Sequence, residues 1–128
     1  MKELTKAEEQ VMQILWKCQK AFVRELLEYF DEPKPAYNTV STIIRILEKK
    51  GFVSHESIGK MHRYFPLVSK DNYKKKFFKG FMKNYFSNSF NQLVSFFSKS
   101  EDLTIEQMEE MRKMLDEEIN NKKNRQND

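Results

Sequence analysis

The sequence predicts a mainly α-helical chain carrying one small β-hairpin, and three observations predict it. Apolar residues recur at steps of three and four through most of its 128 residues. That period gives way to two only between Phe52 and Leu67, where a glycine sits midway. After Ser69 the helical period returns and runs to the acidic C-terminal end.

Each element has its own signal. Thr5 and Glu8 form a capping box, in which each side chain satisfies an orphan amide of a helix's first turn. Val11, Met12, Ile14, Leu15 and Cys18 then give that helix a broad apolar face, with Trp16 beside it. A second helix is expected over Val23 to Phe30, with Leu26, Leu27 and Phe30 inward. Pro33 and Pro35 make the following stretch a loop, because neither tolerates a helix interior. A third helix is expected from Asn38 to Lys50. Val40, Ile43, Ile44 and Leu47 face a core, and Gly51 sits where a left-handed residue ends a helix.

Phe52–Ser57 and His62–Leu67 read as two short strands joined by a tight turn through Gly59. Beyond Ser69, a basic and aromatic helix is expected over Asp71 to Tyr85, and a short one over Ser89 to Phe97. A last helix opens with a second capping box, Thr104 with Gln107. Its apolar stripe passes through Met108, Met111, Leu115 and Ile119, and the polar residues 120–128 are expected to fray.

Composition narrows the functional classes. Aromatic content of 13%, with 11 Phe, argues against global disorder. No apolar run approaches the ~20 residues that span a bilayer, so no membrane insertion is expected. The start, Met1 to Lys6, lacks the apolar run of a secretory signal, and Cys18 alone cannot build a disulfide framework. A reduced, cytoplasmic setting is the expectation. Net charge is +4, distributed as +2 over residues 1–69, +6 over 70–100 and −4 over 101–128. The basic middle suits a polyanion, although Lys74, Lys75 and Lys76 by themselves read as a solvated face. With three glycines and no nucleophile elbow, phosphate-cradling loop or zinc-protease motif, the chain offers catalysis no foothold, and no cofactor is expected. His55 and His62 lie on facing strands without a third ligand nearby. They read as solvent- or phosphate-facing, with no metal site expected.

Three helices followed by a hairpin describe a winged helix-turn-helix. The third helix carries a polar stripe opposite its apolar one, and a major groove admits one such helix and is read near its N-terminal end. Asn38, Thr39, Ser41 and Thr42 offer small donors and acceptors there, and the Thr42 methyl could meet a thymine methyl. Arg45 and Lys49 suit phosphate or guanine, and Lys60 with Arg63 would lie over the adjacent backbone. The polar stripe also admits a reading from another class, a protein-binding winged-helix module without DNA binding.

Several blocks resemble the penicillinase-repressor family, the BlaI/MecI/CopY group of bacterial transcriptional repressors. The run L-T-K-A-E-E-Q-V-M-Q-I-L-W, Leu4 to Trp16, is similar to the family's opening signature. Thr39-Val40-Ser41-Thr42 and Leu47 to Gly51 match a second block. Gly59, Tyr64, Pro66, Leu67, Val68 and Ser69 match the exit of its wing, and L-T-I-E-Q-M-E-E-M-R-K-M-L-D-E from Leu103 resembles its last helix.

The resemblance implies a homodimer that binds a palindromic duplex operator. Residues 1–69 would form the DNA-binding winged helix and residues 70–128 a helical dimerisation domain. Phe90, Leu93, Val94 and Phe97, with Met108, Met111, Leu115 and Ile119, are the expected dimer contacts. Two positions depart from the pattern, since the family often carries a basic residue where Asn38 and Ser41 stand, so the operator does not transfer from relatives. The family's penicillinase branch is relieved by proteolysis at an Asn-Phe bond, triggered by a membrane sensor-protease. Here Phe96-Phe97 stands at that bond, and the alternatives are cleavage with changed specificity or none. The copper-sensing branch carries a cysteine-rich tail, whereas the residues after Ile119 here read N-N-K-K-N-R-Q-N-D, so metal sensing of that kind is not expected.

Overall fold

The computed structural model describes residues 3–127. The chain folds as α1 (Lys6–Cys18), α2 (Val23–Leu27), α3 (Tyr37–Lys49), β1 (Val53–Ile58), β2 (Met61–Pro66), α4 (Lys70–Phe86), α5 (Phe90–Ser98) and α6 (Ile105–Asn127). It divides into two compact units within α4, after Phe77.

The first unit is a winged helix-turn-helix. The expected box starts α1: the Thr5 amide donates to Glu8 Oε1 at 2.9 Å, and the Glu8 amide to Thr5 Oγ1 at 3.2 Å. Behind it Val11, Met12 and Leu15 are buried against Leu26, Val40, Ile44, Leu47, Phe52 and Val53. Each large apolar side chain sequestered in this way contributes about 1.5–3 kcal/mol.

Helix α2 is shorter than expected, ending at Leu27 rather than Phe30. The chain beyond it keeps hydrogen-bonding but tightens to i→i+3 pairs: Glu28 to Glu25, Tyr29 to Leu26 and Phe30 to Leu27. At its start the Phe22 amide donates to the Glu25 carboxylate at 2.9 Å.

Helix α3 begins one residue before the expected Asn38 and closes in a Schellman motif. The Phe52 amide donates to the Leu47 carbonyl at 3.0 Å and the Gly51 amide to Glu48 at 3.1 Å. Gly51 takes a φ of 86°, the left-handed conformation this closure demands. The motif draws Phe52 out of the first strand and fully into the core, so strand pairing starts at Val53.

The hairpin register runs from Val53↔Pro66 to Ile58↔Met61, leaving Gly59 and Lys60 as a two-residue turn. Gly59 holds a φ of 63°. Tyr64 exchanges both backbone bonds with Ala21, at 2.8 and 2.9 Å, so β2 is tied on its second edge to the α1–α2 connection. The exit from the wing is anchored too, because the Trp16 indole donates to the Val68 carbonyl at 2.8 Å. Tyr73, in the first turn of α4, places its ring 5.5 Å from Trp16 and 6.2 Å from Phe52.

The second unit buries little within one chain. Met82 is its one buried apolar side chain among the described residues. Aromatic contacts connect α4 and α5, with Phe86 edge-on to Phe96 at 5.7 Å and Phe78 6.3 Å from Phe90. Ser89 caps α5 through the Gln92 amide, and the Thr104–Gln107 box opens α6 with bonds of 3.0 and 3.1 Å. Residues 120–127, expected to fray, are helical in continuity with α6. Lys122, Lys123, Arg125 and Gln126 are good helix formers, and Arg125 lies 3.9 Å from Glu118.

Candidate nucleic-acid interface

Helix α3 has two unlike sides. Val40, Ile44 and Leu47 are wholly buried, while Asn38, Thr39, Thr42, Arg45 and Lys49 are exposed and Ser41 is half-buried. Local bonds order the polar side. The Thr42 hydroxyl donates to the Asn38 carbonyl at 2.9 Å, which fixes its rotamer, leaves its oxygen free to accept and fixes the direction of its methyl. Arg45 Nε donates to the Ser41 carbonyl at 3.2 Å, laying the guanidinium back along the helix.

Beside this stripe, a cavity of about 320 Å³ opens between α2, α3 and the hairpin tip. Ser41, Arg45 and Lys60, three of the residues expected to meet DNA, line it together. Arg24 from α2, Tyr37 from the start of α3 and His62 from β2 join them. Sequence reasoning did not single out Arg24 or Tyr37 as site residues. Their signal was faint: an arginine directly after the buried Val23, and an aromatic phenol just ahead of the polar stripe.

Arg63 stands elsewhere. Strand alternation turns it to the hairpin face opposite His62 and Tyr64, where its Nε donates to Glu56 at 2.7 Å and its Nη2 to the same oxygen. Lys20 approaches that carboxylate at 3.6 Å. The Arg63 bond, opposed by partial desolvation, holds the Glu56 carboxyl below its ordinary value.

The histidines are not simply solvent-facing. His55 Nδ1 lies 2.6 Å from Glu48 Oε2, joining β1 to the last turn of α3. His62 stacks on His55 at 4.1 Å with planes only 13° apart. Beneath them burial, assisted by Glu48, pushes the Tyr64 phenol up. Among the described residues no group of three or more His, Cys, Asp or Glu is arranged to hold a metal ion.

In the second unit the expected pairing residues are largely accessible. Phe90 is 62% exposed and Leu115 is also 62% exposed; Val94, Met111 and Ile119 are exposed as well. Leu93, Phe97 and Met108 are half-buried. The Phe96-Phe97 bond lies inside α5, with Phe96 exposed. Among the described residues no helix is long and apolar enough to cross a membrane.

Residues 4–117 match the model of the penicillinase repressor family. The chain belongs to that family. Penicillinase repressor family proteins are transcriptional repressors, not enzymes. This member is 33% identical over 114 residues to the methicillin resistance regulatory protein MecI of Staphylococcus aureus (strain N315), covering 88% of this chain and 93% of that one. It is 25% identical over 122 residues to the penicillinase repressor of Bacillus licheniformis, covering 94% and 95% of the two chains. Against the solution structure of the DNA binding domain of the repressor BlaI it shows 26% identity and a TM-score of 0.48. That match covers 57% of this chain and 94% of that one.

Proposed function

We propose that this chain represses transcription by gripping a palindromic DNA operator as a homodimer. The first unit enters the major groove with α3, and helices of residues 70–128 pair the two copies. One observation carries the reading: a helix whose inner side is wholly buried holds Asn38, Thr42 and Arg45 exposed on its outer side. Small amide and hydroxyl groups at the N-terminal half of such a helix suit base edges, while Arg45, Lys49 and Lys60 suit phosphates.

Pairing has its own support. The second unit leaves Phe90, Val94, Met111, Leu115 and Ile119 exposed, and a second copy would cover them. Two-fold pairing would set half-sites about one helical turn, or a multiple, apart.

Relief of repression would follow from cutting near Phe96-Phe97 by a membrane sensor-protease. Because that bond is helical, the last turns of α5 would have to unwind before a protease could bind them extended.

The test is binding of duplex DNA from the gene's own upstream region, followed by fluorescence anisotropy as salt rises from about 50 to 200 mM. A dimer holding several phosphates should lose affinity by orders of magnitude over that range. Absence of binding at the lowest salt would overturn the reading in favour of a protein-binding module.

A further inference from the structure

Helix α6 runs 23 residues and buries no side chain among the described residues. At about 100° per residue, Met108, Met111, Leu115 and Ile119 fall within about 40° of one line along it. Met108 is half-buried and the other three are exposed. One flank of that line carries Glu109, Arg112, Asp116 and Lys123, acid and base in alternation. Among the described residues none of these four forms an ion pair, whereas Glu118, on the other flank, lies 3.9 Å from Arg125. The helix dipole does not account for the alternation. It favours acids in the first turn and bases in the last, and Arg112 and Asp116 stand in the middle.

Read backwards, acid-base-acid-base becomes base-acid-base-acid, so the flank is complementary to its own reverse. An antiparallel pair of such helices brings the same flank of each copy together. With Leu115 against its own copy, Met111 falls opposite Ile119. Arg112 then lies within one turn of the second copy's Asp116, and Glu109 within one turn of its Lys123. In a parallel pair the charged flank would instead meet the side of Gln107, Met114 and Asn121, all neutral.

We propose that the exposed face of α6 binds α6 of a second copy, antiparallel and centred on Leu115, with ion pairs from Glu109 to Lys123 and from Arg112 to Asp116 across the copies. The assignment rests on the homodimer reading above and adds to it a direction, a register and four charged residues. Lys123 lies beyond residues 4–117, the segment that the family model matches, so its share in the contact is a feature of this chain's own extension of α6. Charge pairs of this kind choose direction and partner more than they add strength.

Glu109→Lys and Lys123→Glu test it in the full chain, each checked for helix content by circular dichroism, with dimer dissociation followed by sedimentation at low salt. Two-fold symmetry repeats each contact, so one reversal creates two like-charge contacts and should weaken the dimer about tenfold. The double variant should return to wild-type association, and mixing the two single variants should give heterodimers in preference to either homodimer. Rescue within one chain is ruled out by distance, since the two positions lie about 21 Å apart along the helix. Single variants that dimerise like the wild type, or that weaken without rescue by the swap or the mixture, would overturn the antiparallel pairing while the wild-type dimer stands. A wild type that stays monomeric at every concentration would instead refute the homodimer reading, and this contact with it.

Discussion

The Lys50 ammonium, at the end of α3, lies 2.6 and 3.0 Å from the two carboxylate oxygens of Glu8, at the start of α1. Glu8 is 5% exposed and also accepts the Thr5 amide, so one carboxylate caps one helix and holds the end of another. Burial alone would push its carboxyl up. Bonds from Lys50 and Thr5 outweigh burial and hold it below its ordinary value of 4.5.

Stability should therefore depend on pH through this pair. A carboxyl depressed by folding stabilises fully above its unfolded value, and that contribution fades as pH falls below about 4.5 through the folded value. Lys50→Met leaves a buried carboxylate without its cation and should cost about 1–3 kcal/mol at neutral pH. Urea unfolding at pH 7 and at pH 3.5 measures both. An equal loss at the two values would place the effect outside the ion pair.

Thr42→Ala removes a hydroxyl and a methyl from the exposed side of α3 without touching the core. Alanine is the better helix former and the lost bond to the Asn38 carbonyl is solvent-exposed, so thermal stability should hold or rise slightly. Operator affinity should fall about tenfold, the lower part of the ~1–3 kcal/mol range for a base-reading contact. Anisotropy titration beside a melting curve reads both, and an unaltered binding curve removes Thr42 from the reading face.

Replacing Met111 and Leu115 together with Glu places two charges on an α6 face that is exposed in the single chain. The fold of one protomer should be unaffected, while self-association should be lost. Sedimentation velocity should then report monomers, and duplex affinity should drop with the second grip. Dimers persisting in the variant would move the interface away from this face.

Local chemistry made much of the fold legible. The two capping boxes, the Gly51 stop and the Gly59 turn each depend on residues within a few positions, and each forms as read. The inner stripe of α3 was equally plain, because a period of three to four marks burial without knowledge of what lies opposite. Less legible was whatever needs distant chain. The tie between Ala21 and Tyr64 uses backbone groups common to nearly every residue and leaves no mark in composition. Arg24 joins the cavity only through the packing of α2 beside the hairpin tip, and the partner of Arg63 depends on strand register. The shortened α2 reflects a tightening of pitch that apolar spacing over eight residues does not resolve.

The pair of backbone hydrogen bonds between Ala21 and Tyr64 bears on how the protein meets its target. A β-ribbon held along one edge only could swing, and ordering it on contact would subtract from affinity. Here each strand has its own tie to the body, β2 through Tyr64 to Ala21 and β1 through His55 to Glu48 of α3, which favours a gap from Lys60 to α3 that is set before any encounter. Such a jaw arrives already set, and discrimination between operators then falls to the nucleic acid, which must conform to a gauge that does not yield.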